Sequence, residues 1–402
     1  MKFVRIGNIV SVAKGKKPTF SESPDENSFR VLQIDDLRND NNIKYTDDKT
    51  GVFAKEEDVL IAWDGANAGT IGFGKTGFIG STIAVLRKNN SKDFDTVFIG
   101  KFLQTQFDFL RSKSTGATIP HINRNSLENL RIPLISLSDQ IQTANILSKA
   151  ENLISQRKES IALLDEFLKS TFLEMFGDTS TNKLKWDKVE LKKFGKIITG
   201  NTPPRNNDDN YSSDFIEWIK TDNISSDKTY ITTAVEYLSE SGLKGARTVE
   251  NGALLIACIA GSIESVGRAA IANRTVSFNQ QINAIQPNKD IEPLFLYWLF
   301  KISKKYVQNH ATKGMKKILT KGEFEKILMI KPPLSLQTKF AQIVEKTEAL
   351  KTHYQSSLQE LENLYGSLSQ RAFKGELTLN HAEEQVLMAA EPEVEYQANV
   401  II

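Results

Sequence analysis

The chain of 402 residues carries one long segment twice. Gln140 to Phe176 lies over Gln337 to Phe373 at a constant offset of 197 positions, without a gap. Between those ends Ala144, Ile146, Lys149, Glu151, Leu153, Ser160, Leu164 and Ser170 recur as Ala341, Ile343, Lys346, Glu348, Leu350, Ser357, Leu361 and Ser367. Neither copy contains proline, and Gly366 is the sole glycine. Leu147, Ile154, Ile161, Leu168 and Met175 fall every seventh residue, the seam of a coiled coil. The second copy keeps the stripe through Val344, Leu358, Leu361 and Leu368, interrupted at Lys351. Pro133 precedes the first copy, and Pro332 with Pro333 the second, as helix-entry punctuation. At 1.5 Å per residue such a helix is about 55 Å long, too long for a compact domain. The spacing therefore predicts two long helices zipped together antiparallel, relating the halves by a pseudo-twofold axis. The alternative is two amphipathic helices, each packed on its own domain.

The rest of the chain repeats as well. "VRIGNIVSVAKGKKP" at 4–18 aligns with "VELKKFGKIITGNTP" at 189–203, and "LIA" at 60–62 with "LIA" at 255–257. Short β-rich runs such as "DVLIAW" and "ALLIACIA" alternate with glycine turns. One helix-like stretch occurs in each module, "TVFIGKFLQTQFDFLRSK" and "PLFLYWLFKISKKYVQNH". The expectation is an α+β chain: module 1 over residues 1–135, a spacer helix over 136–178, module 2 over 185–333, a second spacer helix over 334–376 and an acidic tail over 377–402.

Composition narrows the chemistry. Cys258 is the lone cysteine and the four histidines are scattered, so neither an internal disulfide nor a structural zinc set is expected. No apolar run is long enough to span a bilayer, and a cytoplasmic setting is expected. "GTIGFGKT" at 69–76 satisfies the phosphate-loop pattern, but "GFIGSTIAVLR" follows where a helix must begin, and module 2 has no counterpart of Lys75 and Thr76. Methyltransferase and nuclease motifs are likewise missing, so no catalytic residue and no metal ligand is assigned.

Net charge is only +2, so any hold on a polyanion must come from local clusters. Lys14, Lys16 and Lys17 in "AKGKKP" correspond to Asn201, Arg205 and Asn206 in "GNTPPRNN". A second pair of loops carries Lys113, His121, Asn123 and Arg124 in module 1, and Lys313, Lys316 and Lys317 in module 2. "FNQQIN" adds Asn279, Gln280 and Gln281. Lysine and arginine reach phosphates or guanine and amides reach adenine, so these residues are the candidate contacts to double-stranded DNA. Two heads on a stiff spacer suit a target with two sites, and loops that differ between heads suit two unlike half-sites. A protein-binding scaffold and a phosphate-loop nucleotidase are the competing readings.

This order of parts resembles the specificity subunit of Type I restriction-modification systems over about residues 1 to 378. The resemblance rests on "GKKP" and "GNTP" opening each recognition domain, on "TGATIPHINRNSLENLRIPLISLSDQ" and "KGEFEKILMIKPPLSLQTKFAQIVEK" closing them, on Gln140 and Gln337, and on "RAFKGEL" at 371–377. It implies a noncatalytic subunit with two target-recognition domains that reads a bipartite DNA site. It further implies helices that set the unread gap and dock two modification (methyltransferase) subunits, joined by restriction subunits. S-adenosylmethionine, ATP and Mg would then belong to those partners, with no cofactor in this chain.

Overall fold

The computed structural model describes residues 2–89, 93–116, 118–312 and 317–390. It divides into two units: Met1–Glu159 with Tyr354–Ile402, and Ser160–His353. Each unit thus holds one β-rich module, half of the first long helix (Leu137–Phe176) and half of the second (Leu334–Lys374).

The two modules share one topology. In the first, an antiparallel sheet runs in the order Val10–Lys14, Ile83–Lys88, Val59–Ala62, Ile71–Phe73. A second sheet runs Lys44–Thr46, Phe29–Leu32, Gly77–Ile79, Phe53–Ala54, its two middle strands parallel. In the second module the matching orders are Gly195–Thr199, Ile282–Pro287, Leu254–Ala257, Ala269–Ile271 and Tyr237–Leu238, Ile216–Ile219, Val276–Phe278, Thr248–Val249. The central strand of each first sheet, "VLIA" or "LLIA", is apolar throughout because both faces are covered. Val59 and Ile61 face a core with Phe98 and Phe102 of the helix Thr96–Thr105, while Leu60 and Ala62 face Leu32, Ile79 and Val85. Leu254 and Ile256 likewise pack with Phe295 and Leu299 of Pro293–Ile302, and Leu255 and Ala257 with Ile219 and Phe278.

Both helix-like stretches are shorter than their sequence pattern suggests. Each breaks after ten residues, at Gln106 and at Ser303, before a short second helix. At the first break Gln106 N–H bonds to Leu103 O, three residues back, which tightens the last turn.

The long helices run antiparallel within each unit. In the first unit Lys158 pairs with Glu362 at 2.8 Å, Glu151 accepts from Tyr365 Oη at 2.5 Å, and Leu147 meets Leu368. In the second, Asp165 pairs with Lys351 at 2.7 Å, and Phe172 and Phe176 meet Phe340 edge-on at 5.3 and 5.6 Å. Of the seam positions, Leu147, Leu168, Val344, Leu361 and Leu368 are buried, and Ile154, Ile161 and Leu358 half-buried. Lys351, which breaks the apolar stripe, is accommodated by its ion pair with Asp165.

A buried glutamine ties each long helix to its module. Gln140 donates to Asp93 O (2.7 Å) and Ile135 O (3.0 Å) and accepts from Asp95 N (3.0 Å). Gln337 donates to Pro332 O (2.7 Å) and Asp290 O (3.4 Å) and accepts from Glu292 N (3.0 Å). Both bind the approach to the module's main helix, so the repeat in sequence is also a repeat in hydrogen bonding.

The expected tail over 377–402 needs correction in its first part. Leu379–Ala390 is a helix, and Ala382 and Val386 are buried against Ile146, Leu147, Ala150 and Leu368. Leu379, Ala382 and Val386 follow helical spacing; the exposed Leu387 and Met388 hide it in the sequence. Residues 391–402 lie outside the described residues.

The phosphate-loop pattern is a turn that links a strand of the module's first sheet to a strand of its second. Ile71–Phe73 and Gly77–Ile79 flank a turn at Gly74 (φ +67°), and Lys75 Nζ bonds both carboxylate oxygens of Asp40 at 2.8 Å. No helix starts at Lys75, so the amide cradle that a nucleotide phosphate needs is not formed.

Candidate nucleic-acid interface

At one end of each module the same loops converge, and a glycine makes the approach close enough. An added Cβ on Gly15 would lie 2.4 Å from Gly80 O, and one on Gly200 2.1 Å from Asn279 O. Gly15 N–H bonds to Ile83 O and Gly200 N–H to Ile282 O, both at about the same length (2.9 and 3.0 Å). The lysine and asparagine that follow are thereby set beside the 80–82 and 279–281 turns.

The backbone frame around this point is duplicated. Trp63 and Asp64 N–H bond to Thr82 O, as Cys258 and Ile259 N–H bond to Gln281 O; Ile122 N–H bonds to Trp63 O, as Leu319 N–H bonds to Cys258 O. The bridge between Asp64 and His121 in module 1 is therefore the counterpart of the pairing between Ile259 and Ile318 in module 2. The side chains differ completely. In module 1, Lys14 Nζ and His121 Nδ1 each approach Asp64 at 2.6 Å. Partial burial pushes the Asp64 carboxyl up, but the Lys14 and His121 hydrogen bonds together outweigh it and hold the group below its ordinary value. In module 2 the three matching residues are Thr199, Ile259 and Ile318, without a charge.

Module 2 instead gathers charge on the loop after its first strand. The Arg205 guanidinium lies 4.5 Å from the Tyr211 ring centre and 4.8 Å from that of Trp218. Its Nη2 meets Glu236 Oε2 at 2.6 Å, and Lys220 also pairs with Glu236. The Lys220 ammonium, opposed by partial burial and seconded by Arg205, holds the Glu236 carboxyl below its ordinary value.

The remaining candidates divide by how their polar atoms are used. Asn201 donates to Gly245 O (2.6 Å) and accepts from Arg247 N (2.9 Å), which makes it a brace between loops. Asn123 caps a short helix by accepting from Ser126 N at 3.0 Å, and the next residue, Arg124, pairs with Glu128 at 2.7 Å. Asn279 is buried and closes its turn by bonding Gln281 at 3.1 Å in both directions, while Gln280 accepts from Thr202. Lys16 sits 3.4 Å from Asp48; Lys17, Lys113 and Asn206 are exposed. Lys313, Lys316 and the Lys317 side chain lie outside the described residues, although the Lys317 backbone pairs with Ala260.

The sequence singles out Lys14, His121 and Arg205 as candidates but not the residues the structure packs against them, Asp64, Tyr211, Trp218 and Glu236, nor Lys220 beside Glu236. A usable signal was present: Asp64 and His121 are charged or polar where the aligned repeat has isoleucine. Among the described residues no group of three His, Cys, Asp or Glu could hold a metal ion, and no helix is long and apolar enough to cross a membrane.

The profile of the family described as Type I restriction modification DNA specificity domain matches residues 1–163 and 183–363. The MjaVIII specificity subunit of Methanocaldococcus jannaschii is 30% identical over 256 residues, 60% of this chain and 59% of that one. The EcoBI specificity subunit of Escherichia coli is 20% identical over 96% of this chain and 88% of its own length. The solved S subunit of a Type I restriction-modification system from M. genitalium superposes with a TM-score of 0.59 at 16% identity, covering 92% of this chain and 96% of that one, a likeness of fold.

Proposed function

Because the chain belongs to the Type I restriction-modification DNA specificity family, we propose that it is the noncatalytic reader of a bipartite DNA sequence, each module holding one half-site. One observation carries this reading: a duplicated backbone frame presents Lys14, Asp64 and His121 in one copy and Thr199, Ile259 and Ile318 in the other. Two equal copies of one sequence would ask for equal side chains; two unlike half-sites ask for a shared frame with different chemistry. The paired helices set the unread gap and offer docking surfaces to two modification subunits, and restriction subunits complete the assembly in the cytoplasm. Methyl transfer with S-adenosylmethionine, and ATP- and Mg-dependent translocation and cleavage, are the work of those partners. Phosphate contacts from the lysine loops supply affinity, and base contacts supply specificity.

Gel-shift selection from duplexes with a randomised-spacer library tests the proposal. Two short fixed tracts separated by a gap of constant length are expected. Enrichment of one continuous tract, or of none, would overturn it and favour the protein-binding scaffold.

A further inference from the structure

In module 2 one surface cation is held by neighbours of two kinds, aromatic rings and a carboxylate. Arg205 lies on the loop between the strands Gly195–Thr199 and Ile216–Ile219 and is exposed over 52% of its side chain. Long surface arginines ordinarily sample many rotamers, so immobilising one costs conformational entropy. Here two aromatic rings and a carboxylate hold it, with the ring centres of Tyr211 and Trp218 4.5 and 4.8 Å from its guanidinium carbon.

The rings are themselves anchored to the same loop. Tyr211 Oη donates to Pro203 O at 2.7 Å, Trp218 Nε1 donates to Asn201 O at 3.2 Å, and Asn210 Nδ2 donates to Pro204 O at 3.0 Å. The loop folds onto its own aromatic platform, and Arg205 rides on it. A phosphate contact can be made by a point charge alone, as a lysine makes it. A guanidinium with five N–H donors in a rigid fork is the group that matches the O6 and N7 acceptors of guanine in the major groove. Glu236 engages the Nη2 edge and sets the direction of the fork. Module 1 lacks this device: parallel pairing places Val31 where Trp218 stands.

We infer that Arg205 is a specificity-determining residue that reads one guanine in the half-site of module 2, with Tyr211, Trp218 and Glu236 as its positioning residues. This rests on the DNA-reading function proposed above. Asn201 braces the platform through Gly245 and Arg247 and does not touch the base.

The test is competition binding of the full chain to duplexes carrying its selected motif, each position substituted in turn. For the wild type, one guanine of one half-site should be preferred over adenine by roughly 5- to 150-fold. Arg205→Lys keeps the charge and removes the fork, so that one preference should collapse while the other positions and the salt dependence stay unchanged. Glu236→Gln frees the guanidinium without removing it and should weaken the same preference without lowering affinity for the other duplexes; it decides the matter if Arg205→Lys fails to fold. Retention of every preference in both variants, an equal loss across all duplexes, or loss at a position that is not guanine would overturn the inference while leaving bipartite recognition intact. A wild-type chain that selects no bipartite motif would overturn both.

Discussion

The buried glutamines Gln140 and Gln337 give the sharpest quantitative test of how the long helices are joined to their modules. Replacing Gln140 with leucine keeps much of the side-chain volume but removes three hydrogen bonds, at 2.7, 3.0 and 3.0 Å. The Asp95 amide and the Asp93 and Ile135 carbonyls then lose their partner. An unsatisfied buried group costs about 1–3 kcal/mol. These backbone groups are partly within reach of water, so each is taken near the lower limit, and the sum is about 3–5 kcal/mol. With a urea dependence of about 2–3 kcal/mol per molar, the first unit's unfolding midpoint should fall by about 1–2.5 M. Gln337→Leu should do the same to the second unit. Tryptophan fluorescence separates the two, because Trp63 lies in the first unit and Trp186, Trp218 and Trp298 in the second. Circular dichroism follows both. A shift below about 0.3 M in either variant would refute the clamp, as would Gln140→Leu lowering the tryptophan-rich transition and sparing the other.

Gly200→Ala places a Cβ 2.1 Å from Asn279 O, an overpacking expected to cost about 1–3 kcal/mol and to lower the second unit's thermal midpoint. The Asp64 carboxyl lies below its ordinary value of 3.8, so its pairing stabilises the first unit above that pH and is lost as pH falls through the lower folded value; Asp64→Asn should flatten this acid limb of the stability profile. Burial raises the Cys258 thiol to about 12, so a thiol reagent at pH 8 should leave the native chain unlabelled and label it fully in denaturant. If Lys16 and Lys17 each neutralise a DNA phosphate, their joint change to alanine should reduce the slope of log affinity against log salt by about 1.8. An unchanged slope removes them from the interface.

The helices were legible because a heptad pattern over nearly forty residues has few other interpretations, and because its second copy names its partner. Strands such as "VLIA" were legible as apolar runs, but the parallel pairing of Phe29–Leu32 with Gly77–Ile79 leaves no local trace, since register is settled by partners distant in sequence. The helix Leu379–Ala390 escaped notice because only one narrow face of it is buried. At the candidate interface, glycine-rich basic loops stood out by composition. Asp64 did not, because it meets His121, 57 residues away, only through a β-bridge. Of the Arg205 platform only Arg205 was legible: Tyr211 lies six residues further along the loop, while Trp218 arrives from the strand Ile216–Ile219 and Glu236 from the residue before Tyr237–Leu238.

Long-read sequencing that reports DNA methylation, applied to the source cells with this gene present and deleted, tests bipartite recognition most directly. The expected result is a modified motif of two short specific tracts around a gap of fixed length, lost on deletion and restored with an altered second tract by Arg205→Lys. A methylated motif that is continuous, or a bipartite one that persists without the gene, would contradict the account.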